Sequence, residues 1–335
     1  MADLTGLIPK LAGQRILVVG DVILDEYLTG RATRMSREAP VPVLELEARH
    51  VLPGGAANPA ANIAALGSTA SLVGVVGADP AAETLRQVLN TRGISAHLLL
   101  DDATRPTTVK MRIMAQMGLR FPQQVARLDT LSREPISPEI ERQVGVVIAA
   151  EMRRANAVLV SDYHTGLLTT SLVSSVRTMA GNAGSILLAA DAQGSLEKYV
   201  GFALVKCNAD EARAYLGRDL RTDRDFATAA FDLCSGLQLT GAMFITRGAD
   251  GITWATGDGT VSHARAPAVT DVYDTVGAGD TAIAVITLAV GAGATYAEAA
   301  ALANYGSGLV VRRVGNYTPA REELLWALET WRSEE

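Results

Sequence analysis

"VYDTVGAGDTAIAV", residues 272–285, places one aspartate, Asp280, between a Gly-Ala-Gly run and a run of small and apolar residues. A helix that begins here has unpaired N–H groups and the positive end of its dipole in its first turn, so an acid is favourable there. Gly277 and Gly279 also let the backbone approach a bulky group, and the N–H groups of residues 277–280 can face an anion. The segment therefore predicts either a helix capped by an acid or a phosphate-binding turn that contains a base.

The composition indicates a globular protein with an ordinary core. The chain has 335 residues, of which 48% are hydrophobic and 20% charged, and this excludes wholesale disorder. Its formal charge of -6 provides no general basic surface, so nucleic acid is not an expected partner. The two cysteines form no close-spaced motif and the four histidines are scattered. This argues against a structural zinc site or a disulfide framework and fits a reducing cytosol.

No segment of the sequence predicts a membrane partner. The N-terminus, "MADLTGLIPKLAGQ", lacks the basic start and the continuous apolar run of a signal peptide. The most apolar stretch, "TAIAVITLAVGAGA", has only 14 residues and directly follows Asp280, which is typical of a buried core helix. We therefore expect a cytoplasmic protein.

Short apolar runs alternate with helical stretches along the chain, as in "SLVGVVG", "AVLVSD", "SILLAAD" and "AMFITRG". This alternation predicts an α/β fold with a mostly parallel central sheet and helices on both faces. We find no internal repeat and no low-complexity linker, and expect a single domain over residues 1–335. In "PGGAANPAANIAALGS" we expect a helix with Asn58 as N-cap, Pro59 at its first position and Gly67 at its exit.

Two segments, residues 41–48 and about 105–129, show strand-like alternation without an intervening helix. They predict a small separate sheet, formed by residues of about 30–50 and 105–130. From residue 105 to residue 133 the chain carries six basic residues against the single acid Asp129. A charge run of this kind is usually a solvated face, but in a protein that binds phosphorylated molecules it is a candidate anion-binding surface.

Two common nucleotide-binding motifs are absent from the sequence. There is no G-x-x-x-x-G-K-[ST], and no G-x-G-x-x-G follows the first predicted strand, so a P-loop and a dinucleotide-binding fold are disfavoured. Five other motifs in order resemble the ribokinase-like (PfkB) family of carbohydrate kinases over nearly the whole chain. They are "GDVILD" (20–25), "PGGAAN" (53–58), "NADE" (208–211), "TRGADG" (246–251) and "DTVGAGDT" (274–281).

Within this family, the longer stretches "GDVILDEYLTGRATRMSREAPVPVLELE" and "LPGGAANPAANIAALG" resemble the kinases that phosphorylate D-glycero-β-D-manno-heptose 7-phosphate. The tail "ANYGSGLVVRRVGN" strengthens this resemblance. It implies a ribokinase-like fold and ATP-dependent transfer of the γ-phosphoryl group to a sugar hydroxyl, with the anomeric hydroxyl of that heptose phosphate as the first choice. In many bacteria this kinase is fused to an adenylyltransferase, and no second module of that kind is expected in this chain.

The resemblance also implies roles for the motif residues. Asp280 would be the catalytic base, and the N–H groups of Gly277, Ala278 and Gly279 would hold the charge of the transferred γ-phosphoryl group. "NADE" is also a good helix cap, so its residues carry a purely structural alternative. The ATP and metal residues implied are Asn208 on the phosphates, Glu211 on Mg²⁺ through water, Thr246 and Gly248 near phosphates or ribose, Asn304 at the adenine, and Asp274 at a monovalent cation such as K⁺.

On the sugar side, the resemblance makes the small sheet a lid over the substrate that often pairs between subunits. Exposed sheet edges favour such pairing, so we expect a homodimer through the lid. Carboxylates are natural acceptors for sugar hydroxyls, and glycines let the ring approach the backbone. The residues expected to hold the ring are Asp21, Asp25, Gly54, Gly55 and Asn58, and the cations available to a distal phosphate are Arg34, Arg37, Lys110 and Arg112.

The chain departs from the heptose-phosphate kinases at two lysines near the phosphates. "SDYHTG" (161–166) carries Thr165 and "DAQG" (191–194) carries Gln193 where those kinases have lysine. The lid also contains extra residues, "MGLRFP", in which Arg120 is a candidate replacement cation. Three hypotheses remain open: a heptose-phosphate kinase, a kinase of an unphosphorylated sugar or nucleoside, and a sugar- or nucleotide-binding regulator without catalysis. The basic lid favours the first, and the lost lysines favour the second.

Overall fold

The computed structural model describes residues 4–117, 122–184, 186–269 and 271–331. The strands in these ranges are β1 (Arg15–Gly20), β2 (Val22–Met35), β3 (Pro42–Gly55), β4 (Thr69–Val76), β5 (Leu99–Asp101), β6 (Val109–Gln116), β7 (Gln123–Thr130), β8 (Ala157–Asp162), β9 (Leu187–Ala192), β10 (Leu204–Asn208), β11 (Ala242–Thr246), β12 (Ile252–Thr256) and β13 (Val261–Ala264). The helices are α1 (Ala57–Ala65), α2 (Pro80–Thr91), α3 (Pro138–Met152), α4 (Thr170–Ala183), α5 (Ala209–Leu216), α6 (Asp223–Gly236), α7 (Ala278–Gly291), α8 (Tyr296–Val311) and α9 (Arg321–Thr330). Short 3₁₀ helices span Thr5–Leu11, Leu196–Tyr199 and Gly248–Asp250.

The described strands form two separate sheets. The larger sheet has nine strands within these ranges, in the order β13-β12-β11-β10-β9-β8-β1-β4-β5. From β11 to β5 all neighbours are parallel, and β12 and β13 add an antiparallel edge. Parallel neighbours need crossover connections, which the helices between the strands supply. The predicted ribokinase-like α/β architecture is confirmed.

Helices cover both faces of the large sheet. On β1, Ile16 and Val18 belong to one buried cluster, whereas Leu17 and Val19 belong to the other. This alternation follows from the two-residue period of a strand that is buried on both sides. The first cluster includes residues of α1, α2, α7, α8 and α9, and the second includes residues of α3, α4, α5 and α6.

The smaller sheet has the order β3-β2-β6-β7 among the described residues. Only Asp21 lies between the end of β1 and the start of β2, so this sheet is attached at the carboxyl edge of the large one. β3 extends well beyond the predicted residues 41–48, because Gly54 and Gly55 pair with Ile23 and Val22 at the start of β2. The prediction of a small separate sheet is confirmed, but its second strand continues into the glycine motif.

The pairing register gives the small sheet two distinct faces. Tyr27 pairs with Arg112, so these two side chains share the face that lies toward the start of α7. Leu28 pairs with Ile113 on the opposite, outer face. The outer face also carries Leu44, Leu46, Met111 and Leu128, and its Leu46 and Leu128 side chains are exposed.

The helix predicted from "TAIAVITLAV" is α7, and its residues from Asp280 to Ala289 are buried. Full burial of a large aliphatic side chain contributes roughly 1.5–3 kcal/mol, so Ile283, Val285, Ile286 and Leu288 fix this helix firmly against α1 and α8. Among the described helices, none has both the length and the apolarity that a membrane span requires.

Candidate active site

A cleft of about 600 Å³ opens at the carboxyl edge of the large sheet. Open α/β sheets bind their ligands at this edge. The cleft is lined by the residues that follow β8, β9, β10 and β11 and by the first turn of α7. Of the residues implied for catalysis and ATP, it brings together Gly277, Gly279, Asp280, Asn208, Glu211, Thr246 and Gly248.

The turn before α7 requires glycine at position 277 and is crowded at position 279. Gly277 has a φ of 84°, and a Cβ added there would lie 2.9 Å from Nδ2 of Asn58. A Cβ added at Gly279 would lie 3.0 Å from Nζ of Lys206. The amide of Ala278 donates to the carbonyl of Thr275 at 3.3 Å, whereas those of Gly277 and Gly279 have no hydrogen-bond acceptor among the described residues. Two of the three predicted anion-binding amides are therefore free for a ligand.

The Asp280 carboxylate is held at both oxygens. Its Oδ1 accepts a hydrogen bond from the Tyr163 hydroxyl at 2.6 Å, and its Oδ2 accepts one from Nδ2 of Asn58 at 2.7 Å. Burial, and secondarily the nearby Asp191, raise the pKa of Asp280 to about 6, although its two donors and Lys206 act in the other direction. An acid with this pKa is ionised at neutral pH and is a better proton acceptor than an ordinary aspartate.

The prediction that Asn58 caps a helix is wrong. α1 begins at Ala57, and the N-cap position is Ala56, which makes no side-chain cap. The helix starts earlier than predicted because Gly55, with a φ of 55°, turns the chain directly from β3 into it. The Asn58 side chain is released from capping and lies between Asp280 and Asn62, whose Nδ2 donates to Asn58 Oδ1 at 3.2 Å.

Sequence reasoning missed a lysine in the cleft. Lys206 is buried on β10, and its Nζ lies 2.7 Å from Oδ1 of Asp191 on β9. Burial alone would lower the pKa of Lys206, but Asp191 and Glu211 raise it above its ordinary value, so the ammonium stays charged. The available signal was a lysine within an apolar strand, "LVKCN", where a charge needs a partner or a function.

Asn208 and Glu211 form the predicted capping box of α5. The amide of Asn208 donates to Oε2 of Glu211 at 2.6 Å, and the amide of Glu211 donates to Oδ1 of Asn208 at 2.9 Å. Burial raises the pKa of Glu211, even though Lys206 acts in the other direction. The structure therefore shows the cap, and it leaves both side chains on the wall of the cleft.

The described residues contain no group of three or more His, Cys, Asp or Glu side chains arranged to hold a metal. Mg²⁺ keeps several waters and is commonly held by one or two carboxylates together with substrate phosphates. A partly buried Glu211 on the cleft wall fits such a sparse site, since a cation nearby would offset the cost of burying its charge.

Of the three remaining residues expected at the nucleotide, two line the cleft and one does not. Thr246 ends β11, and Gly248 follows with a φ of 62°, and both line the cleft. Asn304 does not line it. Its Nδ2 donates to the carbonyls of Ala264 at 2.8 Å and Arg265 at 3.1 Å, so it ties α8 to the end of β13.

Asp274 connects two loops beside the start of α7. Its Oδ1 accepts from the amide of Val276 at 3.0 Å, and its Oδ2 accepts from the amide of Gly315 at 2.9 Å. It lines a second cavity of about 280 Å³ beneath the small sheet, together with Tyr27 and Arg112. The carboxylate thus fixes the loop that leads to Gly277.

Asp25 lies in β2 on the face that looks toward the start of α7, and it is buried. It forms an ion pair with Arg112 and accepts from Nδ2 of Asn316 at 2.6 Å. A Cβ added at Gly54 would lie 2.1 Å from Oδ2 of Asp25, so only glycine fits there. The carboxylate is therefore preorganised by residues from three separate parts of the chain.

The Asp21 carboxylate accepts hydrogen bonds from backbone amides of the loop after β8. Its Oδ2 accepts from the amides of Tyr163 at 2.8 Å and Thr165 at 3.1 Å, and its Oδ1 accepts from that of Leu167 at 3.3 Å. Burial and the neighbouring Asp162 raise the pKa of Asp21. A sugar hydroxyl bound to this carboxylate would share it with these three amides.

The four cations expected near a distal phosphate lie in two places. Lys110 lies 4.9 Å from the ring centre of Tyr163, which lines the cleft. Arg112 lies 5.1 Å from the ring centre of Tyr27 and lines the second cavity, where it pairs with Asp25. Arg34 and Arg37 are exposed at and beyond the far end of β2. Arg34 is nine residues from Asp25, a distance of about 30 Å along an extended strand. The candidate Arg120 lies outside the described residues.

The two positions at which the family's lysines are missing differ in surroundings. Gln193 lines the cleft, so an uncharged side chain stands on its wall. Thr165 is buried, and its carbonyl accepts a hydrogen bond from Arg105 at 2.9 Å. Arg105 is also held by Asp102 and the carbonyl of Glu134, so it supports this loop and does not replace the lysine.

Comparison with known proteins agrees with this geometry. The family model described as pfkB family carbohydrate kinase matches residues 14–323. The bifunctional protein HldE of Hyphomonas neptunium is 36% identical over 326 residues, which cover 97% of this chain and 65% of that protein. This chain thus spans about two thirds of the length of its relative.

Solved structures show the same fold at low sequence identity. Phosphofructokinase-2 from Escherichia coli in complex with potassium superposes with a TM-score of 0.76 at 17% identity, covering 95% of this chain and 99% of that one. Arabidopsis thaliana ribokinase complexed with ribose and ATP gives a TM-score of 0.73 at 19% identity, with the same coverage. With the family match across most of its length, this chain belongs to the pfkB family of carbohydrate kinases.

Proposed function

We propose that this chain is an ATP-dependent kinase that transfers the γ-phosphoryl group to the anomeric hydroxyl of D-glycero-β-D-manno-heptose 7-phosphate. The observation that carries the proposal is the Asp280 carboxylate, which is buried in the first turn of α7 beside free backbone amides and a buried lysine. The sequence resemblance to heptose-phosphate kinases and the similarity to HldE support this choice of acceptor.

In the proposed reaction, Asp280 accepts the proton of the sugar hydroxyl while the hydroxyl oxygen attacks the γ-phosphorus and ADP leaves. Phosphoryl transfer passes through a loose transition state, so catalysis depends mainly on position and on compensation of charge. The amides of Gly277 and Gly279 and the ammonium of Lys206 supply positive charge on one side of the cleft. A base with a pKa of about 6 is ionised at pH 7 and still accepts a proton as the hydroxyl oxygen forms its new bond.

Bound Mg²⁺ would neutralise and orient the ATP phosphates. Glu211 would hold it through water and Asn208 would contact the phosphates, while both maintain the cap of α5. Thr246 and Gly248 would border the nucleotide. Asn304 would act at the adenine only indirectly, by holding the end of β13. Asp274 would bind K⁺ beside the loop before α7, and the complex of phosphofructokinase-2 with potassium is in line with this assignment.

On the acceptor side, Asp25, Gly54, Gly55 and Asn58 would form the sugar site. Asp21 would contribute chiefly by fixing the loop that carries Tyr163. A distal phosphate would bind to Arg112 and Lys110, the two of these four cations that lie beside Asp25 and Tyr163. Arg34 and Arg37 would reach a substrate phosphate only from the small sheet of a second copy.

We also propose that the chain forms a homodimer through the small sheet. The outer face carries Leu44, Leu46 and Leu128. Among the described residues, none covers the exposed side chains of Leu46 and Leu128 near the end of this sheet. A second copy of the same face would bury these leucines, and β3 and β7 are the two edge strands of this sheet among the described residues. Replacing Leu46 with glutamate should produce a monomer in light scattering, whereas replacing the exposed Val146 on α3 should not.

A kinase of an unphosphorylated sugar or nucleoside is the second candidate. The specific observation in its favour is that Arg112 is already paired with Asp25, so its charge is partly neutralised before any phosphate arrives. A regulator without catalysis is disfavoured, since Asp280, Lys206 and the glycine turn are all in place.

An ATP-consumption screen against sugars, sugar phosphates and nucleosides tests the proposal, with Asp280→Asn as the control for contaminating activity. We expect turnover with the heptose 7-phosphate and formation of a 1,7-bisphosphate, identified by phosphorus NMR. Turnover restricted to unphosphorylated acceptors would overturn the choice of substrate. No turnover with any acceptor, with ATP bound, would support the regulator instead.

A further inference from the structure

Tyr163 is not among the residues that the sequence motifs assigned to the site, but its hydroxyl contacts the candidate base directly. The side chain follows β8 and lines the cleft, and its hydroxyl lies 2.6 Å from Oδ1 of Asp280. From this geometry we infer that Tyr163 is a positioning residue, whose hydroxyl fixes the Asp280 carboxylate for proton transfer and favours its ionised form. The inference rests on the proposed function and adds a further residue to the same reaction.

The backbone on both sides of Tyr163 is fixed by buried carboxylates. Asp21 accepts from the amides of Tyr163 and Thr165, and Asp162 accepts from the amide of His164 at 3.0 Å. His164 has a φ of 56°, which lies in the left-handed region that non-glycine residues rarely adopt. This costly conformation persists because the surrounding hydrogen bonds determine it, and it lies directly next to Tyr163, whose side chain lines the cleft.

The phenol ring is fixed on its other side by the small sheet. Nζ of Lys110 lies over the ring, 4.9 Å from its centre. Tyr163 is therefore held between the large sheet, through Asp21, and the small sheet, through Lys110. A ring held from two directions can place its hydroxyl at one point with little loss of entropy on substrate binding.

The direction of the hydrogen bond is defined. Burial, and then the charges of Asp280, Asp191 and Asp25, raise the pKa of Tyr163 well above its ordinary value, so the phenol stays protonated and donates. Asn58 on α1 donates to the other oxygen of Asp280, at 2.7 Å. The carboxylate is thus held by two donors from different elements, and each oxygen keeps lone-pair capacity for an incoming hydroxyl.

The remaining charged groups that face Asp280 are Asp191 on β9, which disfavours its ionisation, and Lys206 on β10, which favours it. Tyr163→Phe leaves both of these, Asn58 and the contact with Lys110 in place, and removes one donor to the anion. A hydrogen bond to a charged group favours the charged form, so its loss should raise the pKa of Asp280 by about one unit. Because only the ionised base accepts a proton, activity at acidic pH should fall.

The test compares pH profiles of kcat for the parent, Tyr163→Phe and a matched control, Tyr199→Phe. Tyr199 donates to Oδ2 of Asp162 at 2.7 Å, so the control also removes a buried tyrosine–aspartate hydrogen bond, but it does not touch Asp280. We expect the acid limb of Tyr163→Phe to move up by about one pH unit, with a loss of roughly five-fold at pH 6 that approaches ten-fold at lower pH and nearly vanishes at pH 9. The limb of Tyr199→Phe should stay with that of the parent.

A measurement without turnover separates this inference from the choice of reaction. The pKa of Asp280 can be followed by carbon NMR of labelled aspartate side chains, with Asp280→Asn identifying the signal. We expect the pKa to rise in Tyr163→Phe and to stay constant in Tyr199→Phe, whichever acceptor is phosphorylated. An Asp280 pKa that is the same in Tyr163→Phe and in the parent overturns the positioning role. A parent that phosphorylates no acceptor overturns the proposed function but leaves this measurement decisive.

Discussion

Nζ of Lys206 lies 2.7 Å from Oδ1 of Asp191, and this buried ion pair stands beside Gly279 and Asp280 in the cleft. A buried pair is weak evidence for stability, because desolvation offsets much of the attraction. Its position at the glycine turn is the basis for our proposal that the ammonium binds the ATP phosphates. Asp191 keeps Lys206 charged while the cleft is open, and ATP phosphates would then share that charge.

We predict that Lys206→Met lowers kcat by about 10²–10³-fold, the loss usual for one donor to a developing oxyanion. The matched control is Lys198→Met, because Lys198 forms a similar pair with Asp162 at 2.6 Å but does not line the cleft. Both variants should lose stability in thermal unfolding, and only Lys206→Met should lose phosphoryl transfer. Equal losses of kcat in the two variants would contradict a role for Lys206 at the phosphates.

The free energy of unfolding should depend on pH through the raised pKa of Asp280. Its pKa is raised from 3.8 to about 6 on folding, so between these values the folded state binds more protons than the unfolded state. Stability from this group is therefore present at low pH and is lost as the pH rises through 6, by about 3 kcal/mol in total. Asp280→Asn does not titrate, and its Tm relative to the parent should rise by a few degrees from pH 4 to pH 7. A constant Tm difference across this range would refute the raised pKa.

The sequence predicted the parts of this site that depend on local chemistry. Asp280 and its glycine turn follow from the helix start in one short segment, and the capping box of Asn208 and Glu211 follows from four adjacent residues. Lys206 escaped prediction because its partner, Asp191, lies on a neighbouring strand, and strand order is not visible in local patterns. Asn58 was assigned to a cap for the same reason, since its partner Asp280 is far away in the chain.

A substitution at Glu211 can separate its role in the helix cap from its proposed role in binding Mg²⁺. Glutamine can replace glutamate at the third position of a capping box, so Glu211→Gln should retain α5 and its stability. It removes the carboxylate, and the Mg²⁺ concentration needed for half-maximal activity should rise by about ten-fold or more. The control is Glu298→Gln, because Glu298 holds the same capping-box position in α8 but does not line the cleft. The requirement for Mg²⁺ is measured by titration in a chelator-buffered assay. An unchanged midpoint would mean that Glu211 caps α5 and does not take part in binding Mg²⁺.

Activation by K⁺ should depend on Asp274. We predict that replacing K⁺ with tetramethylammonium lowers kcat of the parent several-fold and has no effect on Asp274→Ala, which should already be impaired. Asp271→Ala is the control, since its exposed carboxylate pairs with Arg312 at 3.4 Å and does not line the second cavity. Because Asp274 also holds the amides of Val276 and Gly315, thermal unfolding must be compared as well. A variant that is destabilised but still responds to K⁺ would show that Asp274 only fixes the loops.

The last prediction concerns the substrate, and it uses the positions of Arg112 and Arg34. If Arg112 holds a distal phosphate, Arg112→Ala should weaken binding of the sugar phosphate by about one to two decades, since a charge-assisted contact is worth roughly 1.5–3 kcal/mol. It should weaken binding of the dephosphorylated sugar less. Arg112→Lys should restore only part of the loss, because lysine lacks the planar fork that arginine offers to a phosphate. KM values for the two acceptors, measured in a coupled assay, check this difference.

Arg34→Ala is the second variant to compare, because Arg34 lies too far from Asp25 in its own chain to reach the same substrate. Arg34 would belong to the site of a second copy if Arg34→Ala weakens binding of the phosphorylated acceptor alone. In that case Arg34→Ala should have no further effect in a Leu46→Glu background, because the dimer is already lost there. Equal losses for both acceptors in Arg112→Ala would instead mean that Arg112 only supports Asp25, and the kinase of an unphosphorylated sugar would then be the better description.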